Sequence, residues 1–201
     1  FEGHHPIPQP NDYNFSYHLH PSPPYKLGPE NNEILHFGDP GATNDFPMYP
    51  ITHPKRKIDV VIGFDCSTSV VDHKVFDEVQ DFFCDRRGFN RTTRIVTNKY
   101  CEVHDFIPTD KTNDEFLPPA QKQFVLCYLR YLQNDKVDPN FEPATASFST
   151  RFNFDYSTAQ VDLMTRLAKA NWLESEKQVK EIIIDTWNKK RDARLNGVNF
   201  P

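Results

Sequence analysis

The stretch IDVVIGFDCSTS, Ile58–Ser69, is the most strand-like part of the sequence and decides its fold class. Ile58–Phe64 is an almost continuous apolar, β-branched run, which is typical of a strand buried on both faces of an α/β sheet. The run ends in an Asp-x-Ser-x-Ser pattern that begins at Asp65. This ending allows two interpretations, a divalent-metal site or a structural turn that follows a strand.

The composition limits the partners of the protein. Its 201 residues suit one domain of ordinary size, and 17 Phe can fill a core. A net charge of −5 argues against a nucleic-acid partner, because phosphate binding needs clustered Lys and Arg. Three short basic clusters, Lys55–Lys57, Arg86–Arg87 and Lys189–Arg191, lie on separate segments. They favour solvated faces, and anionic lipid headgroups are the alternative partner for them.

The cysteines and the apolar segments bear on the cellular compartment. Four cysteines without C-x-x-C spacing predict buried free thiols rather than a zinc site. No apolar stretch approaches the roughly 20 residues that span a bilayer. Without a visible signal peptide, we expect a cytoplasmic protein peripheral to membranes, with secretion as the alternative. The sequence does not begin with Met, so we expect a fragment or a processed piece.

Proline marks the predicted division of the chain. Residues 1–54 carry 11 of the 17 prolines, which remove amide donors and prevent helices. We predict a Pro-rich irregular segment over 1–33 and a folded part over 34–201, beginning with a short strand in Glu33–Asp39. The four histidines of the first segment favour loop positions over metal ligation, because no acid or cysteine stands at ligand spacing.

Periodicity predicts the remaining elements. Apolar residues at helical spacing indicate a helix over Asp72–Arg86. Arg94–Phe106 alternates loosely, as strands do, and Lys122–Leu132 is a dense apolar run for which we favour a strand. Ser157–Trp172 and Glu174–Arg191 predict two helices, separated by a Ser/Glu-rich turn. Strands followed by helices predict an α/β fold with a mixed central sheet and flanking helices.

The metal interpretation of Asp65 corresponds to a von Willebrand A-type module. Its carboxylate and hydroxyl oxygens, with those of Ser67 and Ser69, suit a hard cation such as Mg²⁺. That module also needs regular βα alternation and a further Asp, usually in Thr-Asp-Gly, and no Asp-Gly occurs in this sequence. We therefore expect no metal ligands here. Asp65 and Ser67 are expected to bond the turn backbone and to cap the next helix.

A wider block, Leu35–Ser69, resembles the cytosolic phospholipase A2 / fungal phospholipase B family. Its matching features are an Asp-Pro-Gly turn at Asp39, the Asp-Phe-Pro segment at Asp45, a basic loop, and an apolar strand that ends in Asp-x-Ser. A second block lies about 80 residues later and comprises FVLCYL and the segment SFSTRFNFDYSTAQVDLMTRLAKANW. The resemblance spans roughly Ile34 to Trp187, in order and at plausible spacing.

This resemblance implies a fold and an activity. The fold is the C-terminal portion of a patatin-like phospholipase catalytic domain. The activity is hydrolysis of fatty-acyl esters in glycerophospholipids or lysophospholipids by a Ser-Asp dyad, in which the aspartate accepts the serine proton. Asp39 corresponds to the catalytic aspartate, Gly41 permits the close turn beside it, and Arg56 corresponds to an arginine that supports substrate or phosphate binding. No cofactor is implied, and calcium enters only through a domain outside this chain.

The sequence also departs from the family. It has no Gly-x-Ser-Gly nucleophile motif and no Gly-Gly for an oxyanion loop, and Pro40 replaces a small residue beside Asp39. We therefore expect the N-terminal part of the same catalytic domain as a partner, and no activity from this chain alone. A lipid-binding homologue without hydrolysis is the alternative. Phe152, Phe154 and Tyr156 alternate along the chain and are expected either to line an acyl cavity or to pack in the core.

Overall fold

The computed structural model describes residues 11–13, 34–36, 46, 48–53, 56–94, 98–111, 122–149, 153 and 155–197. The chain divides into two compact units, Phe1–Asp45 and Phe46–Pro201. In the first unit β1 (Asn11–Tyr13) pairs antiparallel with β2 (Ile34–His36). The short strand predicted near Glu33 is therefore present as β2, while β1 is a strand within the segment predicted to be irregular.

The second unit is an α/β structure with one mixed sheet. Its elements are α1 (Met48–Ile51), β3 (Val60–Asp65), α2 (His73–Arg87), β4 (Phe89–Thr93), β5 (Cys101–Pro108), β6 (Phe124–Arg130) and α3 (Thr158–Leu195). The strand order is β3-β6-β5-β4. β3 and β6 are parallel, whereas β5 is antiparallel to both β6 and β4. The predicted class, a mixed sheet with flanking helices, is confirmed, as are α2 and the strand assignment of β6.

Alternate side chains of β6 fill two cores on opposite faces of the sheet. One core, packed under α2, receives Phe124, Leu126 and Tyr128. The other core, packed under α3, receives Cys127 and Leu129, with Val125 at its margin. Because successive side chains of a strand point to opposite faces, a strand that is apolar throughout must be covered on both sides. The two helices supply that cover.

The core under α2 is built largely from aromatic rings. Phe106 and Phe124 stack with centroids 4.5 Å apart, and Phe76 stacks on Tyr128 at 3.8 Å. Phe46 meets Tyr128 edge-on at 5.7 Å and so joins the start of this unit to the sheet. Offset and edge-to-face ring pairs add specific geometry to the burial of apolar area.

β3 differs from its prediction, because it is not buried on both faces. Val61 is buried under α2, but Ile62 and Phe64, on the α3 face, are 38% and 64% exposed. β3 lies at an end of the strand order among the described strands. Val179 and Ile182 of α3 share a core with side chains of β5 and β6, and Val60 of β3 is only partly buried at the margin of that core. Trp172 of α3 lies beside Phe64, with ring centroids 6.1 Å apart, and leaves most of the Phe64 side chain uncovered. The prediction of a strand from the apolar run is therefore confirmed, and the prediction that this strand is buried on both faces is wrong.

The two helices predicted after Ser157 are one helix, α3, of 38 residues. Ser157 is its N-cap and forms a reciprocal capping box with Gln160. The expected break fails because the intervening segment contains no Gly or Pro and is rich in good helix formers. Ser175, at the predicted start of the second helix, is buried inside α3, and its hydroxyl donates to the carbonyl oxygen of Asn171 at 3.0 Å, four residues earlier.

Gly63 in β3 is required by close packing, because a Cβ added there would overlap the ring of Phe46. We predict that Gly63→Ala lowers the free energy of unfolding by about 1–3 kcal/mol, as overpacking of a filled core does. Urea unfolding measures the loss. In a Phe46→Leu background the same substitution should cost less, because the smaller side chain leaves room for the methyl group. Equal losses in the two backgrounds would contradict this account of Gly63.

Candidate functional site

Of the three site residues implied by the resemblance, the structure describes one. Asp39 and Gly41 lie outside the described residues. Arg56 is exposed, in a tight turn before β3 in which its amide donates to the carbonyl oxygen of His53 at 2.8 Å. Lys57, next to it, has a φ of 51° in the left-handed region. The backbone of Arg56 is therefore hydrogen-bonded to His53, and its side chain is exposed to solvent.

Asp65 braces the turn that follows β3. One carboxylate oxygen accepts from the amide of Ser67 at 2.8 Å, and the other accepts the hydroxyl proton of Tyr128. The hydroxyl oxygens of Ser67 and Ser69 are hydrogen-bonded to each other at 2.9 Å. The expected bond to the turn backbone is confirmed. The expected helix cap is wrong, because α2 begins only at His73, beyond this turn.

Arg130 of β6 also stabilises the segment after β3, through contacts with Val70 and with Glu102 of β5. Its guanidinium donates to the carbonyl oxygen of Val70, from Nη2 at 2.8 Å, and Nη1 lies 3.1 Å from Oε1 of Glu102. Glu102 is buried, and its second oxygen lies 3.6 Å from Nε2 of the buried His104. Buried charges require such partners, because removing a charge from water costs on the order of several kcal/mol and an unpaired charge recovers none of this free energy. This group of residues stabilises the strand ends and the turn after β3.

The four cysteines are poor candidates for a nucleophile. Burial raises the pKa of Cys84 and of Cys101 to about 12, and that of Cys127 to about 11. Cys66 is exposed, contrary to the prediction of a buried thiol, and partial burial and the charge of Asp65 raise its pKa as well. With raised pKa values, all four thiols stay protonated at neutral pH. The reactive form of cysteine is the thiolate, so these thiols are weak nucleophiles.

The described residues of the three basic clusters lie at one end of the sheet, where β3 and β6 begin. α3 contacts the end of β3 through Trp172 and the start through Lys190, so it runs antiparallel to β3. The ring contacts of Phe76 and Phe83 give α2 the same direction, so Arg86 also lies toward the start of the strand. The ring of Phe89, two residues after α2, packs against Phe124, the first residue of β6. Arg87 is buried, whereas Arg86 is exposed. Sequence reasoning missed this convergence, although a basic loop before a strand and basic helix ends are its signal.

Asp59 is the centre of this end. Its two carboxylate oxygens lie 2.5 Å from Nζ of Lys122 and 2.6 Å from Nζ of Lys190, so one acid joins the start of β6 to α3. Lys122 also donates to the carbonyl oxygen of Lys57 at 3.2 Å. We call the surrounding surface the basic end, and it consists of Arg56, Lys57, Lys122, Lys190, Arg191 and Arg194.

Two pockets flank the sheet on its α3 face. One, of about 190 Å³, opens beside Asp59 and is lined by charged groups that include Arg94 and Lys189. Arg94 is already paired, with two hydrogen bonds of 2.7 Å to Asp105. The other, of about 80 Å³, lies at the opposite end among Phe64, Tyr131 and Trp172. Asp65 and Cys66 also line this second pocket, but the pKa of the Cys66 thiol is raised and both carboxylate oxygens of Asp65 already accept hydrogen bonds.

The predicted aromatic row before α3 is described only at Tyr156. Its side chain is 39% exposed, and the residues beside it form no strand. Core packing on a strand face is therefore wrong for Tyr156. Phe152 and Phe154 lie outside the described residues.

Burial of Asp59 acts to raise its pKa, but hydrogen bonds and charges from Lys122 and Lys190 outweigh it and lower the pKa. A lowered native pKa stabilises the fold above the unfolded value, about 3.9, and this contribution is lost as the pH falls through the native pKa. We predict that Asp59→Asn destabilises the protein at neutral pH, and that its difference from the wild type shrinks in acid. Urea unfolding across the pH range measures this difference.

Asp155→Asn, at an exposed site, is the matched control for the loss of one carboxylate. A difference between the wild type and Asp59→Asn that stays constant down to the lowest pH would contradict a stabilising role for the two lysine contacts.

No helix among the described residues has the length and apolar character needed to cross a membrane. In comparisons with known proteins, no protein-family model, no curated protein and no solved structure matches this chain. The case for a function therefore depends on the resembling sequence blocks and on the contacts described above.

Proposed function

We propose that this chain is the C-terminal part of a patatin-like catalytic domain that hydrolyses fatty-acyl esters of glycerophospholipids or lysophospholipids. In this proposal Asp39 is the base of a Ser-Asp dyad, and the serine belongs to the N-terminal part of the same domain. The aspartate accepts the proton of the serine as the hydroxyl oxygen attacks the ester carbonyl, and water later releases the acyl group. The enzyme acts at the surface of membranes or micelles, in the cytoplasm or, as the alternative, after secretion.

One structural observation supports this proposal above the others. The two resembling blocks are far apart in sequence, and each contributes one strand, β3 or β6. These strands are adjacent and parallel, with Val60 opposite Val125 and Asp65 opposite Arg130. Blocks that belong to one catalytic domain are expected to meet in one sheet, whereas chance matches have no reason to become neighbours.

The surroundings of Arg56 are consistent with its proposed role. Its side chain is exposed to solvent, next in sequence to Lys57, whose carbonyl oxygen accepts from Lys122 of the basic end. A planar guanidinium binds a phosphate with two parallel hydrogen bonds, and neighbouring lysines raise the local concentration of anionic substrate. We propose that Arg56 contacts the phosphate of the lipid headgroup.

The test of this function is Asp39→Asn in the longest natural chain that carries this sequence. Loss of a general base is expected to lower kcat for fatty-acid release from phospholipid vesicles by roughly 10²–10⁴-fold. Asp110→Asn, at an exposed site after β5, removes the same charge and should leave the rate unchanged. Unaltered release by the Asp39 variant would show that the acid is wrongly assigned. A wild-type chain that binds lipid and releases no fatty acid would favour the non-hydrolytic homologue.

The metal-binding module is the remaining alternative, and the turn at Asp65 argues against it. Both carboxylate oxygens of Asp65 already accept hydrogen bonds, from Ser67 and Tyr128, and a cation would have to displace them. We predict that calorimetric titration with Mg²⁺ gives no saturable binding that depends on this loop. Micromolar binding that is abolished by Asp65→Ala would favour the metal-binding module instead.

A further inference from the structure

We propose that the basic end is a docking surface for a membrane that contains anionic lipids. It deepens the proposed function, on which it rests for the identity of the substrate, by naming the side of the molecule that faces the lipid. The partner is the anionic headgroup layer together with the acyl boundary beneath it. Three observations carry the inference, namely the charge, the exposed aromatic side chains and the position of Arg56.

The charge of the basic end is opposite to that of the chain as a whole. The ion pairs that its six cations form among the described residues are with two carboxylates, Asp59 and Asp192. The neighbouring cations Arg94 and Lys189 are each matched by an acid of their own. This leaves a local surplus of four positive charges on a chain whose net charge is −5. Asp59 cannot neutralise Lys122 and Lys190 together, because it carries a single negative charge. Such segregation gives the molecule an orientation in the field of an anionic surface.

Exposed apolar side chains adjoin these cations on the last turns of α3. Trp187 is 59% exposed, and the guanidinium of Arg191 lies 5.0 Å from its ring centroid. Ile183 and Ile184, one turn earlier, are 43% and 58% exposed. Trp beside Lys and Arg is the composition of an interfacial helix, because the ring reaches the acyl boundary while the cations stay among headgroups.

α2 presents a smaller copy of this arrangement at the same end of the sheet. Phe82 is 57% exposed, and the guanidinium of Arg86 lies 5.5 Å from its ring centroid. A nucleic acid would use the cations through its phosphates but would make no use of the exposed isoleucines. A lipid surface uses both the charge and the apolar side chains. The observations therefore favour the membrane.

The position of Arg56 connects this surface to the proposed chemistry. It belongs to the basic end and is also the residue that corresponds to the family's phosphate-binding arginine. A headgroup that reaches Arg56 therefore arrives through a surface that already attracts anionic lipid. Docking would place the substrate layer beside the residue proposed to bind its phosphate.

The test measures binding of the protein to vesicles of phosphatidylcholine, with and without phosphatidylserine, by co-sedimentation. We expect preferential binding to the anionic vesicles, weakened by added salt. The triple variant Lys57→Gln, Arg191→Gln, Arg194→Gln should bind them roughly tenfold to hundredfold more weakly. Trp187→Ala should weaken binding without changing its salt dependence. All these side chains are exposed, and circular dichroism checks that the variants fold.

The matched control is Lys99→Gln, Lys136→Gln, Lys169→Gln, which removes three charges from exposed sites at the opposite end of the unit. Its binding should equal that of the wild type. Equal weakening in the two triple variants, or no preference for anionic vesicles, would overturn the proposal. It would also be overturned if a short DNA duplex bound more tightly than vesicles through these same residues.

These outcomes separate the docking surface from the proposed reaction. Vesicle binding is measured without turnover, so it can succeed although Asp39→Asn leaves hydrolysis unchanged. Conversely, if the Asp39 variant is inactive and both triple variants bind vesicles as the wild type does, the dyad stands and the docking surface is refuted.

Discussion

The parallel ladder between β3 and β6 is the interaction on which the rest of the second unit depends. Parallel neighbours cannot be joined by a tight turn, so the chain must cross from the end of one strand to the start of the next. Here that crossing contains α2, β4 and β5, and α3 follows β6. The ladder therefore determines that both long helices run antiparallel to β3. It also determines which chain segments meet at each end of the sheet.

Each end of the sheet has its own chemistry as a result. At the carboxyl ends of β3 and β6, Asp65, Tyr128 and Arg130 hold the turn after β3 through buried or partly buried contacts. At the amino ends, Asp59 forms ion pairs with Lys122 and Lys190 at the margin of a solvated surface. The first set is saturated with partners and acts in stability. The second retains surplus charge and is available to an external partner.

The sequence predicted well those elements whose pattern is set by local burial. α2 has a clear apolar face with Phe76 and Phe83, and β6 is apolar throughout, so both were predicted correctly. β4 was not predicted, because Phe89–Thr93 is mostly polar and becomes a strand only by pairing with β5. The continuity of α3 was missed because Ser175 is compatible with a turn as well as with a helix interior. In β4 a tertiary contact overrides a weak strand propensity, whereas in α3 the local helix propensity was underestimated.

The candidate site was less predictable than the fold. The Asp-x-Ser-x-Ser pattern specifies residue types but not their partners. Tyr128, whose hydroxyl donates a hydrogen bond to Asp65, is 63 residues further along the chain. The convergence of basic clusters depends on the directions of two helices, which no local window contains. The resemblance to a lipid hydrolase, unlike these contacts, depends on the order and spacing of residues, and both can be found from the sequence alone.

The length of α3 has a mechanical consequence. At about 1.5 Å per residue, the helix extends for roughly 57 Å, whereas a seven-residue strand such as β6 extends for only about 23 Å. Its buried residues, from Leu167 to Ile182, cover about the same 23 Å, so the helix overhangs the sheet at both ends. Lys190 on the C-terminal overhang is tethered to Asp59 beside β3. Among the described residues, the C-terminal overhang is therefore held at the start of β3 by an ion pair and not by a buried apolar contact, and its last residues extend beyond that point.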